Sequence, residues 1–241
     1  VLLVDDNPDN VSIFVHMLEP LGIHVTVAGN GREAVYAVVG QIASKTPFEM
    51  ILMDMQMPIM DGAEATRELR RRQVQTPVIA LTAFAMAEDQ ERCREAGCDL
   101  FLTKPVLRSK LISALWEAMS LPGFKRMTSV ARPPVAPPPA PAVPVTPPAP
   151  TGDFGELLQR YRVSLRRQLA QIESAQAAGA SDDICKTAHR LKGTAANYGF
   201  PQITECAARC EDQLRQGATL QQISRDLAKL KASISAVVGN E

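Results

Sequence analysis

Residues 1–121 are predicted to form a doubly wound α/β domain on a five-stranded parallel sheet, and residues 153–241 a separate all-α four-helix bundle. Three observations carry this: five short apolar runs alternate with helical stretches up to residue 121, a proline-rich tract follows, and beyond it only helical patterns appear. Strands alternating with helices imply a parallel sheet covered on both faces.

The five runs are VLLV (1–4), HVTVA (24–28), MILM (50–53), PVIAL (77–81) and LFLT (100–103). Each is four or five residues of mostly β-favouring or apolar type, and the intervals are long enough for a helix. Asn30 with Glu33, and Asp61 with Glu64, have the spacing of capping boxes and place two helix starts. In sheets of this kind, sites form at the carboxyl ends of the strands, where the strand order reverses.

The linker is assigned to residues 122–152. Its stretch Ala131–Pro150 holds ten of the eighteen prolines and no acidic residue, so it cannot build a core. Such a tract favours polyproline II at about 3.1 Å per residue, which suits a semi-rigid spacer. Beyond it lie four helical stretches near 154–178, 181–198, 201–216 and 219–237, with Gly179, Gly199 and Gly217 as stop signals and Thr219 with Gln222 as a further capping box. Short connections between four amphipathic helices point to an antiparallel bundle.

Composition restricts function only weakly. Hydrophobic residues make up 46% and charged residues 22%, and no apolar run approaches the roughly 20 residues that span a bilayer. Residues 1–120 hold 11 Lys and Arg against 16 Asp and Glu, net −5, while residues 151–241 hold 12 against 10, net +2. Neither half is basic enough to favour nucleic acid as a partner. The five cysteines lack the spacing of a disulfide framework or a zinc site, and read as small thiols in a reducing compartment. The chain begins inside a strand without a methionine and is read as part of a larger protein.

Asp5 and Asp6 follow the first strand and Asp54 ends the third, so the fold gathers three carboxylates at one sheet edge. Like charges at close range demand a cation, and oxygen ligands of this kind suit Mg²⁺. Thr82 and Lys104 close the fourth and fifth strands and add a hydroxyl and an ammonium. An acidic nucleophile, a divalent metal, a hydroxyl and a lysine can together stabilise a transferring phosphoryl group. Each residue alone reads equally well as a cap, a turn or a solvated charge; the set of five does not.

The motifs VLLVDDN, ILMDMQMPIMDG, ALTA and FLTKP resemble those of the bacterial receiver domain over residues 1 to about 120. The resemblance implies that Asp54 is the phosphorylated carboxylate. It also implies that Asp6, Asp54 and the Gln56 carbonyl ligate Mg²⁺ directly, that Asp5 helps through water, and that Thr82 and Lys104 meet the phosphoryl oxygens. A cis Lys104–Pro105 bond belongs to the same pattern. Phe101 reads either as the family's switch aromatic or as core, and Phe84 as a shield of the acyl phosphate. A phosphatase of the haloacid dehalogenase type is disfavoured, since it needs an aspartate where Gln56 stands.

In the segment SDDICKTAHRLKGTAANYGF, Ile184, Ala188, Leu191, Ala195 and Tyr198 form one apolar stripe, with His189 roughly 140° around from Ile184 and facing outward. Gly193, one turn on, costs about 1 kcal/mol relative to alanine in a helix, so space is wanted beside the ring. Lys192 can bring an ammonium to an oxyanion carried by that ring. AHRLKGTAANYG resembles the core motif of histidine-containing phosphotransfer (HPt) domains.

The order receiver, tether, phosphotransfer bundle resembles the C-terminal part of a hybrid sensor histidine kinase. This implies relay from an upstream kinase histidine to Asp54, then His189, then a separate response regulator. The fragment would be cytoplasmic, with a parent anchored in the inner membrane, and it carries no glycine-rich nucleotide motif of its own. The competing reading is a helical binding module controlled by the receiver and never itself phosphorylated.

Overall fold

The computed structural model describes residues 1–83, 87–121 and 154–239, with the side chains of 87–89 left aside. Phe84 and the proline-rich linker 122–152 lie outside the described residues. The chain divides into two compact units, one centred on a sheet and one on helices.

Up to residue 121 the chain runs β1 (Leu2–Val4), α1 (Pro8–Leu18), β2 (Thr26–Ala28), α2 (Gly31–Ala43), β3 (Ile51–Asp54), α3 (Gly62–Arg71), β4 (Val78–Thr82), α4 (Ala87–Ala96), β5 (Leu100–Thr103) and α5 (Arg108–Met119). All pairings are parallel, in the order β2-β1-β3-β4-β5. The central strands β1, β3 and β4 are buried on both faces, which is why they read as unbroken apolar runs rather than alternating ones. Leu2, Val4, Ile51, Met53 and Val78 pack on one face with Ala34, Val35 and Val38 of α2 and Ala65 and Leu69 of α3. Each such aliphatic side chain removed from water contributes about 1.5–3 kcal/mol.

The helix starts follow the residues that signal them. Pro8 stands at the head of α1, where its missing N–H costs nothing, and the Asp9 amide donates to the Asn7 side chain at 3.0 Å. Asn30 accepts from the Glu33 amide at 3.0 Å and donates its side-chain N–H to Glu33 at 2.8 Å. Asp61 and Glu64 complete the reciprocal box at the start of α3.

The helical unit comprises α6 (Phe154–Ala177), α7 (Ser181–Thr194), a 3₁₀ turn over Ala195–Tyr198, α8 (Pro201–Arg215) and α9 (Ser224–Val238). α7 packs on α6 and α8, and α9 packs on α6 and α8, which closes a four-helix ring. Gly179, Gly199 and Gly217 stand at positive φ, as the helix ends require. The core includes Leu165, Ile172, Ile184, Leu191, Ile203, Leu227 and Ile234, with Tyr161 and Tyr198 stacked at 4.0 Å between ring centroids. One boundary differs from the sequence expectation. Thr219 and Gln222 make their reciprocal bonds, yet α9 begins only at Ser224, because the Ser224 amide reaches back three residues to Gln221 and tightens the turn first.

Candidate functional site

The register of the strands places one set of side chains at a single edge. Val4 pairs with Met53, Asp54 with Leu81 and Thr82 with Thr103, so the residues at or just past these positions, Asp5, Asp6, Asp54, Thr82 and Lys104, stand along the carboxyl edge of the sheet. The chain leaves β1 for β2 on one side and takes up β3 on the other, and the carboxylates lie at that reversal.

Asp5, Asp6 and Asp54 each offer an oxygen, and these oxygens lie within 4.8 Å of one another. Asp5 and Asp54 are buried while Asp6 is exposed, so the cluster is open on one side. The Gln56 amide donates to Asp54 Oδ1 at 3.3 Å, which fixes one carboxylate oxygen and turns the loop after β3 over the site. Gly62 lies so close under this loop that a Cβ there would stand 2.2 Å from the Asp54 carbonyl oxygen. Thr82 is buried at the end of β4. The Lys104–Pro105 bond is cis, as the receiver pattern implies. Phe101, read as switch or core, is 41% exposed and so is not core.

A hard divalent cation fits this donor set. Three carboxylates at such spacing are mutually repulsive unless neutralised, and they are all oxygen ligands.

The second site is on α7. The apolar stripe expected there is buried throughout: Ile184, Ala188, Leu191, Ala195 and Tyr198. His189 is less outward than the helical geometry suggested. Its side chain keeps 23% exposure, because the ring turns toward α8 and its Nδ1 lies 2.9 Å from Glu211 Oε1. Gly193 is buried rather than open. Lys192 reaches Glu211 Oε2 at 3.1 Å and Asp212 at 3.6 Å, and Arg215 reaches Glu211 Oε1 at 2.8 Å.

Glu211 is fully buried at the centre of these cations, and sequence reasoning passed over it. Burial pushes its carboxyl up, but the hydrogen bond from His189 and the charges of His189 and Lys192 outweigh that and hold its pKa at about 2. It is therefore an ionised, acceptor-only group at neutral pH. The proton of a neutral His189 ring is fixed on Nδ1, which leaves the lone pair on Nε2. A signal was present: on α8, Ile203, Ala207 and Cys210 form the buried stripe, and Glu211 falls on it, four residues after Ala207. A carboxylate on a core stripe needs a partner.

A doubly wound sheet with an acidic edge, followed by a bundle with a carboxylate-held histidine, defines a class. Residues 1–116 match the response regulator receiver domain family and residues 156–240 the Hpt domain family, so the chain carries a receiver domain followed by an Hpt domain. It is similar to the C-terminal portion of hybrid sensor kinases. It is 31% identical over 239 residues to the sensor protein GacS of Pseudomonas syringae pv. syringae, covering 90% of this chain and 25% of that protein. It is also 31% identical over 246 residues to the signal transduction histidine-protein kinase BarA of Shigella flexneri, covering 95% and 25%. The chain thus spans about a quarter of the length of these relatives. Among solved structures, the receiver domain of sensor histidine kinase PA1611 from Pseudomonas aeruginosa, described with magnesium in its active-site cleft, is 38% identical at a TM-score of 0.44, covering 50% of this chain and 96% of that one. Among the described residues no helix is long and apolar enough to cross a membrane.

Proposed function

We propose that this chain is a phosphorelay carrier that takes a phosphoryl group onto Asp54 and hands it to His189. The observation that carries the reading is the convergence of Asp5, Asp6 and Asp54 at the reversal of strand order, with Asp54 fixed by the Gln56 amide. The donor is a phosphohistidine on a kinase domain of the same polypeptide, a reading supported by the likeness to sensor kinases, and the final acceptor is an aspartate of a separate response regulator. Residues 1–121 and 153–241 act as the two carrier domains, joined by 122–152. The parent protein is membrane-anchored, with this portion on the cytoplasmic side.

In the first step an Asp54 carboxylate oxygen attacks phosphorus in line. A P–O bond forms, the P–N bond breaks, and the departing ring keeps the electron pair and a proton. Asp6, Asp54 and the Gln56 backbone carbonyl would hold Mg²⁺, with Asp5 acting through water; the cation supplies charge neutralisation for the phosphoryl oxygens. Thr82 and Lys104 meet two of those oxygens and remain in place as charge builds. In the second step Nε2 of His189 attacks phosphorus of the acyl phosphate: a P–N bond forms, the P–O bond to Asp54 breaks, and the Asp54 carboxylate leaves with the electron pair. Its lone pair is available because Nδ1 carries the proton that Glu211 accepts, so the positive charge that develops on the ring is stabilised as it forms. Lys192 steadies the phosphoryl oxygens on the product side while tied to Glu211.

The test supplies acetyl phosphate and Mg²⁺ to the purified chain and follows acid-labile, alkali-stable phosphohistidine. It should form in the native protein and vanish in both Asp54→Asn and His189→Gln. Persistence in Asp54→Asn would mean that His189 is charged without Asp54. Absence of phosphohistidine under every donor would leave the helical unit as a binding module.

A further inference from the structure

We propose that the outer face of α2 is a self-association surface, on which α2 of a second copy of this chain lies antiparallel. The inference stands apart from the relay chemistry and concerns the side of the helix turned away from the sheet.

Between Ala34 and Ser44 the chain carries no charge. Ala34, Val35 and Val38 fill the inner face of that stretch and pack with β1 and β3. The outer face is apolar as well. Tyr36 is 72% exposed, Val39 36% and Ile42 44%, and Gly40 and Ala43 are exposed beside them. A helix with one face in water is normally polar on that side, and one that is apolar all round belongs in an interior. The neighbouring α3 shows the ordinary pattern, since its exposed positions are Glu64, Arg67 and Arg71. A single exposed apolar side chain needs no explanation, but a contiguous stripe marks a contact surface.

The stripe is complementary to itself. At the helical period Tyr36, Val39, Gly40 and Ala43 fall within a band of about 100°. The two large side chains stand on its N-terminal half and the two small residues on its C-terminal half. Laid antiparallel about a two-fold axis between positions 39 and 40, Tyr36 of each copy meets Ala43 of the other and Val39 meets Gly40, so every bulge faces a hollow. A parallel arrangement would set Tyr36 against Tyr36 and leave the small residues facing a gap. Gly40 has no atom within 4 Å of where a Cβ would stand, so the hollow is open in the single chain. Glycine gives up helix stability at that position, and a closely approaching second helix is what gains from the missing side chain.

Charge decides in favour of a second copy. Residues 1–120 are net −5, so two copies repel through most of their surface, and this face adds nothing to the repulsion. A charged partner would find no counter-charge on the stripe to set its register. The match of large to small is all the stripe offers, and its own sequence supplies the other half. Two helical turns cover less than the about 800 Å² per partner of a standard interface, so the pairing is weak, with a dissociation constant on the order of 100 µM.

Sedimentation equilibrium of the full chain between about 10 µM and about 1 mM reads the pairing, and the native chain should pass from monomer to dimer across that range. Val39→Glu sets two like charges beside the two-fold axis, and Tyr36→Glu sets one against the apolar Ala43; each should weaken association at least about tenfold. Tyr36→Glu combined with Ala43→Lys places a glutamate opposite a lysine twice in the antiparallel pair, and should restore an association that high salt abolishes. All of these variants should charge on Asp54 from acetyl phosphate within about twofold of the native chain, which shows them folded. A native chain that stays monomeric at about 1 mM overturns the proposal, and Tyr36 shielded from hydroxyl-radical labelling in that monomer would give the stripe to another part of the same chain. A dimer that Val39→Glu and Tyr36→Glu leave intact also overturns it, since another face then makes the contact. A double variant that associates no better than Tyr36→Glu alone overturns the antiparallel pairing.

Discussion

Nδ1 of His189 lies 2.9 Å from Oε1 of Glu211, a carboxylate with no exposed surface. The same Glu211 oxygen also meets Arg215 at 2.8 Å, and the other meets Lys192 at 3.1 Å. The carboxylate is thus shared between two cations, Lys192 and Arg215, and the imidazole, which is the partner with a nitrogen left for chemistry.

Replacing Glu211 with glutamine separates orientation from charge. Glutamine can accept from Nδ1–H through its carbonyl or donate to Nδ1 through its amide, so the ring is no longer held in one tautomer. Phosphoryl transfer to His189 should fall about 10- to 100-fold, by analogy with partners that orient metal-bound histidines. Ring nitrogen chemical shifts should move toward a tautomer mixture; unchanged shifts with unchanged transfer would remove Glu211 from the chemistry.

Glu211→Ala should do more. It leaves Lys192 and Arg215 without their shared carboxylate and opens space in the bundle, a change that typically costs about 3–5 kcal/mol. Denaturant unfolding followed by helical circular dichroism measures this. A loss below about 1 kcal/mol would show that the cations find water or Asp212 instead.

The acid limb of stability has a definite sign. The folded-state pKa of Glu211, about 2, is below the ordinary 4.5, so its contribution is complete above about 4.5 and is lost as pH falls toward 2. The shift corresponds to about 3 kcal/mol. The stability difference between native protein and Glu211→Gln should therefore shrink between pH 5 and pH 2. A difference constant across that range would mean that the carboxyl titrates normally.

Much of this was legible from the sequence, for identifiable reasons. The β strands announce themselves because a parallel sheet buried on both faces forces unbroken apolar runs such as Ile51–Met53 and Val78–Leu81. The acidic edge was readable because Asp5, Asp6 and Asp54 sit directly at strand ends, where fold topology alone brings them together. His189 and its helix were readable from the stripe of Ile184, Ala188, Leu191 and Ala195. The place of Glu211 on the buried stripe of α8 was readable, but its partner was not, because the pairing depends on how α7 and α8 pack, which no periodicity in either helix reports. Nor was the strained turn at Ile59, since nothing in MQMPIMDG requires a positive φ at an isoleucine.

Gly62 gives the sharpest steric prediction. Its backbone is not in the left-handed region, so an alanine there is conformationally acceptable and its effect is contact alone. The added methyl would meet the Asp54 carbonyl oxygen at 2.2 Å and the Met55 Cα at 2.9 Å, both backbone atoms that cannot rotate away. α3 must therefore move off the end of β3, carrying with it the Gly62 amide, which donates to the Met55 carbonyl at 3.3 Å. Overpacking of this kind costs about 1–3 kcal/mol. The displacement also reaches the acceptor, since Met55 lies between Asp54 and the Gln56 amide that fixes it. Gly62→Ala should thus lower both the thermal midpoint and the rate of Asp54 charging by acetyl phosphate, whereas Gly40→Ala in α2, where a Cβ meets nothing within 4 Å, should leave the charging rate unchanged and raise the midpoint through the better helix propensity of alanine. A Gly62→Ala protein that melts lower but charges at the native rate would show that the loop after β3 absorbs the shift before it reaches Asp54.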